Sequence, residues 1–343
     1  MRPPSASRRR VLMGAAALAG SLAGSLAACS RSEAPTDEQG RVRLRFATDA
    51  LAQAEHGGFY QAVANGAYEG RGLNVQIVQG DPAADVPQRL ASGAVELGLA
   101  SSSLTPLDLV SQGAPVKAVA AFFQKSPLVV LAHPDPALRA LADLRGRALL
   151  MDAAATRGAW PWLKAEHGFT DDQIRAFTGD PAAFLRDPRA VQSGSLTHDP
   201  YAIRQAGGFD PRVFLLADDG YPSYAALVLA PNAFARDNAQ ALRDFIAGSV
   251  EGWRDYLHGD ARAADALIRK DNPAMTQAML DQARDLLRTS GMVDGGDAAL
   301  YGLGAMTAER WQAFFDMAAQ AGVYDPGLNW RAAFTDAYLP GRN

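Results

Sequence analysis

Three polar segments carry the residue types that a small-molecule site needs. The first runs Asp49-Ala50-Leu51-Ala52-Gln53-Ala54-Glu55-His56-Gly57-Gly58-Phe59-Tyr60. Asp49 offers an acceptor and His56 an imidazole. His56 and Tyr60 stand four apart, so they share a face if one helix holds both; the ordinary alternative is that His56 caps the helix and Tyr60 packs in the core. Gly57 and Gly58 leave room for a ligand to approach the backbone. The second segment is Ser101-Ser102-Ser103, whose hydroxyls and amides suit a polar ligand group, or cap the next helix. The third is split between Ser195–Tyr201, which brings Asp199 and Tyr201, and Asp218–Tyr224, which brings Tyr221 and Tyr224; a pair of solvated turns reads equally well there. In Trp160-Pro161-Trp162, Trp162 reads as core, while Trp160 stands where an aromatic wall could stack on a planar ligand.

Aromatics combined with carboxylate acceptors suit a flat, neutral or cationic heterocycle bearing N–H donors. Small oxyanions call instead for arginine, lysine or clustered amides, and Arg157 is the one cation of note near these segments. No G-x-S-x-G, P-loop or H-E-x-x-H is present. The histidines, His56, His133, His167, His198 and His258, are scattered without metal-ligand spacing, so neither a metal nor a cofactor is expected.

The elements that would position these segments alternate. Val42, Leu44 and Phe46 read as a strand, 57–69 as a helix, Leu73, Val75 and Ile77 as a strand, 87–92 as a helix, 95–100 as a strand, 103–111 as a helix and 116–123 as a strand. The rhythm restarts with strands over 128–132, 148–151, 213–216 and 224–229, and helices over 158–166, 171–176 and 200–205. Thr170 reads as the cap of the helix over 171–176. From Pro231 onward only helical patterns follow, over 239–257, 261–270, 275–289 and 308–321. This is an α/β fold with mostly parallel strands and a helical tail that must pack on something.

The 343 residues, 48% hydrophobic and 20% charged, fit one large domain or two, and the net charge of −4 gives no reason to expect nucleic-acid binding. The only cysteine is Cys29, which excludes an internal disulfide. Residues 1–28 read as a signal peptide. Arg2, Arg8, Arg9 and Arg10 precede an apolar Ala/Gly/Leu run with no acid, and Ser7–Leu12 has a twin-arginine look. Leu26-Ala27-Ala28-Cys29 resembles a bacterial lipobox, making Cys29 the lipidated first residue of the mature chain; a single membrane-spanning helix is the alternative, though the run is short for one. Residues 29–41 then read as a flexible tether.

Taken in order, several motifs resemble the thiamine-pyrimidine-precursor family of ABC transporter substrate-binding proteins, related to the nitrate, sulfonate and taurine binders. They are Glu55-His56-Gly57-Gly58-Phe59-Tyr60-Gln61-Ala62, Gly72-Leu73-Asn74-Val75, Ala91-Ser92-Gly93-Ala94-Val95-Glu96-Leu97-Gly98, Asp143-Leu144-Arg145-Gly146, Trp160-Pro161-Trp162-Leu163-Lys164, Asp199-Pro200-Tyr201-Ala202-Ile203 and Gly220-Tyr221-Pro222-Ser223-Tyr224. The resemblance implies a periplasmic-binding-protein-like fold of type II. Two α/β lobes, 42–125 plus 227–343 and 126–226, would be joined by two crossing strands, with the helical C-terminal region packed on the first lobe. It implies an extracytoplasmic, lipid-anchored solute-binding protein in the periplasm that closes on a small-molecule ligand and delivers it to an ABC permease and ATPase. A pyrimidine precursor of thiamine would bind at Asp49, His56, Tyr60, Ser101, Ser102, Trp160, Asp199, Tyr201, Tyr221 and Tyr224. Where relatives carry Gln-Gln-Gly-Tyr-x-Thr-x-Glu-Pro, this chain has Val191-Gln192-Ser193-Gly194-Ser195-Leu196-Thr197-His198-Asp199-Pro200, with a shorter acid and a serine for tyrosine. Nitrate, sulfonate or taurine are the alternative ligands. A pyrimidine-synthesising enzyme is the second alternative; such relatives use active-site cysteines, a histidine and a pyridoxal cofactor, and beyond Cys29 this chain has no cysteine.

Overall fold

The computed structural model describes residues 34–80 and 85–341. The signal segment, Cys29 and the start of the expected tether lie outside the described residues. The rest of that tether is held in place: the Ala34 N–H donates to Asn238 (2.7 Å), and Asp37 accepts from the backbone N–H groups of Gln39 (3.0 Å) and Arg41 (2.9 Å). A short acidic side chain that can bond its own neighbours folds such a stretch into a turn.

In chain order the elements are β1 (Val42–Ala47), α1 (Gly57–Ala64), β2 (Leu73–Val78), α2 (Val86–Ala91), β3 (Leu97–Ala100), α3 (Leu104–Ser111) and β4 (Val116–Phe123). Next come β5 (Leu128–Ala132), β6 (Leu149–Met151), α4 (Ala153–His167), β7 (Ile174–Ala176), α5 (Ala182–Arg186), β8 (Val191–Ser195), α6 (Asp199–Gly207) and β9 (Arg212–Leu215). The chain ends with β10 (Ala225–Pro231), α7 (Asn232–Asp237), α8 (Ala239–His258), α9 (Arg262–Asp271), α10 (Gln277–Thr289), α11 (Gly296–Tyr301) and α12 (Ala308–Gln320).

Two five-stranded sheets result, ordered β2-β1-β3-β10-β4 and β7-β6-β8-β5-β9. In the first, β1 pairs parallel with β2 and β3, while β10 runs antiparallel between β3 and β4. In the second, β6 pairs parallel with β7 and β8, while β5 runs antiparallel to β8 and β9. The chain crosses between sheets through 124–127 and returns through 216–224, so the first sheet takes β10 from beyond the return, while the second is built wholly from strands between the two crossings. These are the two α/β lobes.

The helical tail returns to the first sheet. Phe46 of β1 and Phe59 of α1 meet at 4.7 Å between ring centroids, and Trp253 of α8 stands edge-on to Phe59 at 5.9 Å. The close α1–α8 approach needs glycine. A Cβ at Gly57 would sit 2.1 Å from the Tyr256 ring, one at Gly58 2.2 Å from Trp253, and one at Gly252 2.1 Å from the Gly58 carbonyl oxygen. The paired glycines that suggested an opening for a ligand therefore admit aromatic rings of α8. Farther on, α12 also reaches the second lobe: Phe314 faces Tyr221 with centroids 6.1 Å apart.

One expected helix is absent. Residues 171–176 end in strand β7, paired with β6. The backbone N–H of Thr170 donates to the Gln173 side chain (3.1 Å), so Thr170 opens a turn and not a helix. Pairing along Leu149–Met151 satisfies this backbone where a six-residue helix would leave most groups unpaired.

Candidate functional site

A cavity of about 350 Å³ lies between the lobes. The first lobe contributes Ser101, Ser102 and Leu104, from the end of β3 into α3. The first crossing adds Ser126 and Pro127. The second lobe adds Asp152, Ala154, Ala155, Gly158 and Ala159 from the start of α4, Phe177 just after β7, Ser193, Gly194 and Ser195 from β8, and Asp199 at the head of α6; Tyr221 comes from the return crossing. Strand ends and helix starts converge here, as expected at the open edges of α/β sheets.

Asp152 caps α4 by accepting from the Ala155 N–H (2.8 Å), with the Ser193 hydroxyl 3.4 Å from its other oxygen. Asp199 accepts from the Ser195 N–H (2.6 Å). Gly194 makes room for it, because a Cβ there would meet the Asp199 carboxylate at 2.7 Å. At Gly158 a Cβ would lie 2.9 Å from Leu104 and 3.1 Å from the Tyr221 hydroxyl. Burial pushes the Tyr221 phenol above its ordinary range, so it stays protonated at neutral pH. None of the residues lining this cavity is a lysine, arginine or histidine.

A second cavity of about 40 Å³ shares Ser101 and Pro127 with the first. It is lined also by Asp49, Glu55, His56, Leu99, Phe123, Ala225 and Ala226. The backbone is unusual there: Ala226 has φ +45°, a left-handed conformation that costs energy at a residue with a Cβ.

Protein contacts span the lobes. Glu55 accepts from the Ser195 hydroxyl (2.6 Å) and from the Thr197 hydroxyl, and is itself positioned by Gln53 (2.7 Å). Arg157 of α4 makes a two-pronged pair with Asp108 of α3 (2.5 Å for one prong), and Tyr324 donates to the same carboxylate (2.8 Å). Asp108 holds the Arg157 guanidinium above its ordinary pKa, so this lone nearby cation is already neutralised by a protein partner. At the crossings, the Ser103 N–H donates to Ser223 (3.2 Å) and the Tyr224 N–H to the Ser103 hydroxyl (3.1 Å). Ser103 thus ties the lobes together and does not cap α3. From α12, Arg310 donates to carbonyl oxygens of both crossings, Gln124 on one side and Pro222 (3.0 Å) and Ser223 (3.3 Å) on the other.

The structure brings Ser101, Ser102, Asp199 and Tyr221 to the main cavity, and Asp49 and His56 to the small one. It places the other four candidates elsewhere. Tyr60 is buried and donates to Asp271 of α9 (2.8 Å). His56 belongs to a short 3-10 turn, Ala54–His56, and not to α1, so the four-residue spacing no longer puts the two on one face. Trp160 turns to Phe169 and donates its indole N–H to Asp171 (2.8 Å). Tyr224 is fully buried, its hydroxyl bonded to Asp297 and the Thr307 N–H (2.9 Å). Tyr201 lies on α6, half-buried, and does not line either cavity. Asp152, Ser126, Ser193 and Phe177 join the cavity without having been singled out. Asp152 carried a signal, since it ends an apolar strand pattern and precedes a helix. Among the described residues no group of three His, Cys, Asp or Glu is placed to hold a metal.

His198, beside the cavity, lies 3.6 Å from Asp199, which holds its pKa above the ordinary histidine value. A histidine whose pKa is raised on folding contributes stability below its unfolded value, and that contribution is lost as pH rises through the folded one. The stability difference between the native chain and His198→Gln is therefore expected to be larger at pH about 5.5 than at about 8.5, as measured by urea unfolding at both.

This architecture is that of the periplasmic-binding-protein-like class: two α/β lobes, two crossings and a cleft between them. Within that class the chain belongs to the NMT1/THI5 like family, whose model matches residues 53–263. It is similar to the riboflavin-binding protein RibY of Chloroflexus aurantiacus (25% identical, covering 92% of this chain and 91% of that protein). It is also similar to the formylaminopyrimidine-binding protein of Halalkalibacterium halodurans (25% identical, 73% of this chain and 76% of that protein). Among solved structures, the periplasmic aliphatic sulphonate binding protein SsuA of Escherichia coli superposes with a TM-score of 0.63 at 17% identity, over 86% of this chain and 98% of that one.

Proposed function

We propose that this protein is the extracytoplasmic solute-binding component of an ABC importer, capturing a small N–H-bearing heterocycle in the interlobe cavity. A pyrimidine precursor of thiamine, similar to formylaminopyrimidine, is the ligand that best fits this reading. The observation that carries it is the lining: two carboxylates, Asp152 and Asp199, serine hydroxyls, and apolar walls including Phe177, with no cationic side chain. Such a surface accepts hydrogen bonds and repels oxyanions. That argues against nitrate, sulfonate and taurine despite the shared fold. The volume of about 350 Å³ lies at the low end of the roughly 300–1,000 Å³ typical of small-molecule sites, which favours a one-ring ligand. The likeness to a riboflavin-binding protein along most of the chain supports a second reading, in which a flavin occupies the cleft. Export and anchoring through Cys29, after loss of 1–28, and lobes bounded near 125 and 227 belong to the same proposal, as does a binding role without turnover.

Calorimetry on the protein lacking residues 1–28, with formylaminopyrimidine, riboflavin, nitrate and an alkanesulfonate, tests it. The pyrimidine is expected to bind and the anions to give no heat. Riboflavin alone binding would select the second reading, and tight binding of an anion would overturn both.

A further inference from the structure

We propose that the small cavity is a socket for one N–H donor of the cleft ligand, with Nδ1 of His56 as the acceptor. This rests on the reading of the cleft as a heterocycle site. His56 is 1% exposed, and its Nδ1 is fully buried with no hydrogen-bond partner among the described residues. Its Nε2 lies 3.1 Å from Asp49. A carboxylate can only accept, so the contact puts a ring hydrogen on Nε2, and a ring holding that one hydrogen leaves Nδ1 as a bare lone pair. A buried acceptor without a partner is costly, which makes it a strong discriminator among ligands. The cavity's other polar groups point the same way. Glu55 and Asp49 are acceptors, Ser101 can act as one, and the remaining walls, such as Phe123 and Pro127, are apolar. A volume of about 40 Å³ admits one water-sized group, hence an amino group and not a ring. Ser101 and Pro127 line both cavities, so a ring in the larger one can extend an exocyclic amine into the smaller.

Isothermal titration with 4-aminopyrimidine and 4-methylpyrimidine separates the amine from a methyl group of similar size. The native protein is expected to prefer the amine by about tenfold or more, as the loss of a hydrogen bond to a buried acceptor implies. His56→Phe, which keeps a ring and removes the acceptor, is expected to abolish that preference. An unchanged preference in His56→Phe overturns the socket and spares the cleft reading. Should that variant not fold, Asp49→Asn serves. Where its amide donates to Nε2, which nitrogen NMR of the variant reads as hydrogen on Nδ1, the preference is expected to be lost, and a preference kept with hydrogen on Nδ1 overturns the socket. Nitrogen NMR of the ligand-free native protein adds a measurement that needs no ligand. Hydrogen on Nε2 is expected, and hydrogen on Nδ1 overturns the socket. If neither pyrimidine binds and the hydrogen is on Nε2 alone, the failure belongs to the pyrimidine reading of the cleft, and the bare Nδ1 acceptor on which the socket rests is supported.

Discussion

Arg310→Ala is expected to lower stability by about 3–5 kcal/mol, the cost of removing one member of a largely buried charged network. The side chain is 20% exposed, as is that of Asp297, 3.8 Å away. Its guanidinium donates to carbonyl oxygens of Gln124, Pro222 and Ser223 and lies 4.2 Å from the centroid of the Tyr224 ring. Burial holds its pKa below the ordinary arginine range, so desolvation already weighs against the charge, and the donors and the ring must offset it. Alanine would leave the carbonyls of Gln124 and Ser223, two fully buried residues, short of a partner. Lysine restores the charge but not the planar fork that spans two segments. Equilibrium unfolding in urea should therefore rank native above Arg310→Lys above Arg310→Ala. Because the contacts reach both crossings, the alanine variant should also bind ligand more weakly. A loss below about 1 kcal/mol, the range of exposed pairs, would show that the network is not what holds the crossings.

Asp199→Asn is expected to weaken binding of an N–H-bearing heterocycle by about ten- to a hundredfold, the equivalent of about 1.5–3 kcal/mol for a hydrogen bond to a charged group. Asparagine keeps the shape and can still accept from the Ser195 N–H, now at 2.6 Å from the carboxylate, so β8 and the start of α6 should persist. What disappears is the negative charge on the cavity wall. Titration of native and variant protein, with urea unfolding as a control for folding, separates lost affinity from lost structure. Unchanged affinity with intact stability would remove Asp199 from the binding surface and leave Asp152 as the only lining carboxylate.

Much of this frame was legible from residue pattern alone. Alternating runs such as Val42, Leu44 and Phe46 and the all-helical tail after β10 mark one sheet and its covering layer. Polar residue types in the loops mark Ser101, Ser102, Asp199 and Tyr221, and the rule that ligands meet strand ends, applied after the apolar run 148–151, adds Asp152. Strand β8 was illegible because it reads Val-Gln-Ser-Gly-Ser. It is the middle strand of its sheet, but its later residues line the cavity and are polar, so apolar periodicity fails where function intrudes. Phe177 was lost with the misread segment before it. The misplaced aromatics have a different cause. Residue type identifies Tyr60, Trp160 and Tyr224 as amphipathic side chains that seek a polar partner at one end. Only packing decides whether that partner is a ligand or, as here, Asp271, Asp171 and Asp297.

The contacts of Glu55 with Ser195 and Thr197, and of Asp108 with Arg157, bear on how fast a ligand is released. They join protein to protein, so they favour closure by an amount independent of what occupies the cleft. A ligand then departs only after these bonds part, and its residence time becomes tied to the rate of lobe opening as well as to its own contacts. Two ligands of unequal affinity would leave at more similar rates than their equilibrium constants suggest. The two contacts also differ in what loosens them. Salt screens the half-exposed Arg157 pair, whereas the hydroxyl donors of Ser195 and Thr197 carry no charge to screen. A membrane partner that competed for Glu55 with its own donors would undo the second contact at the moment of delivery, trading one set of hydrogen bonds for another at little net cost.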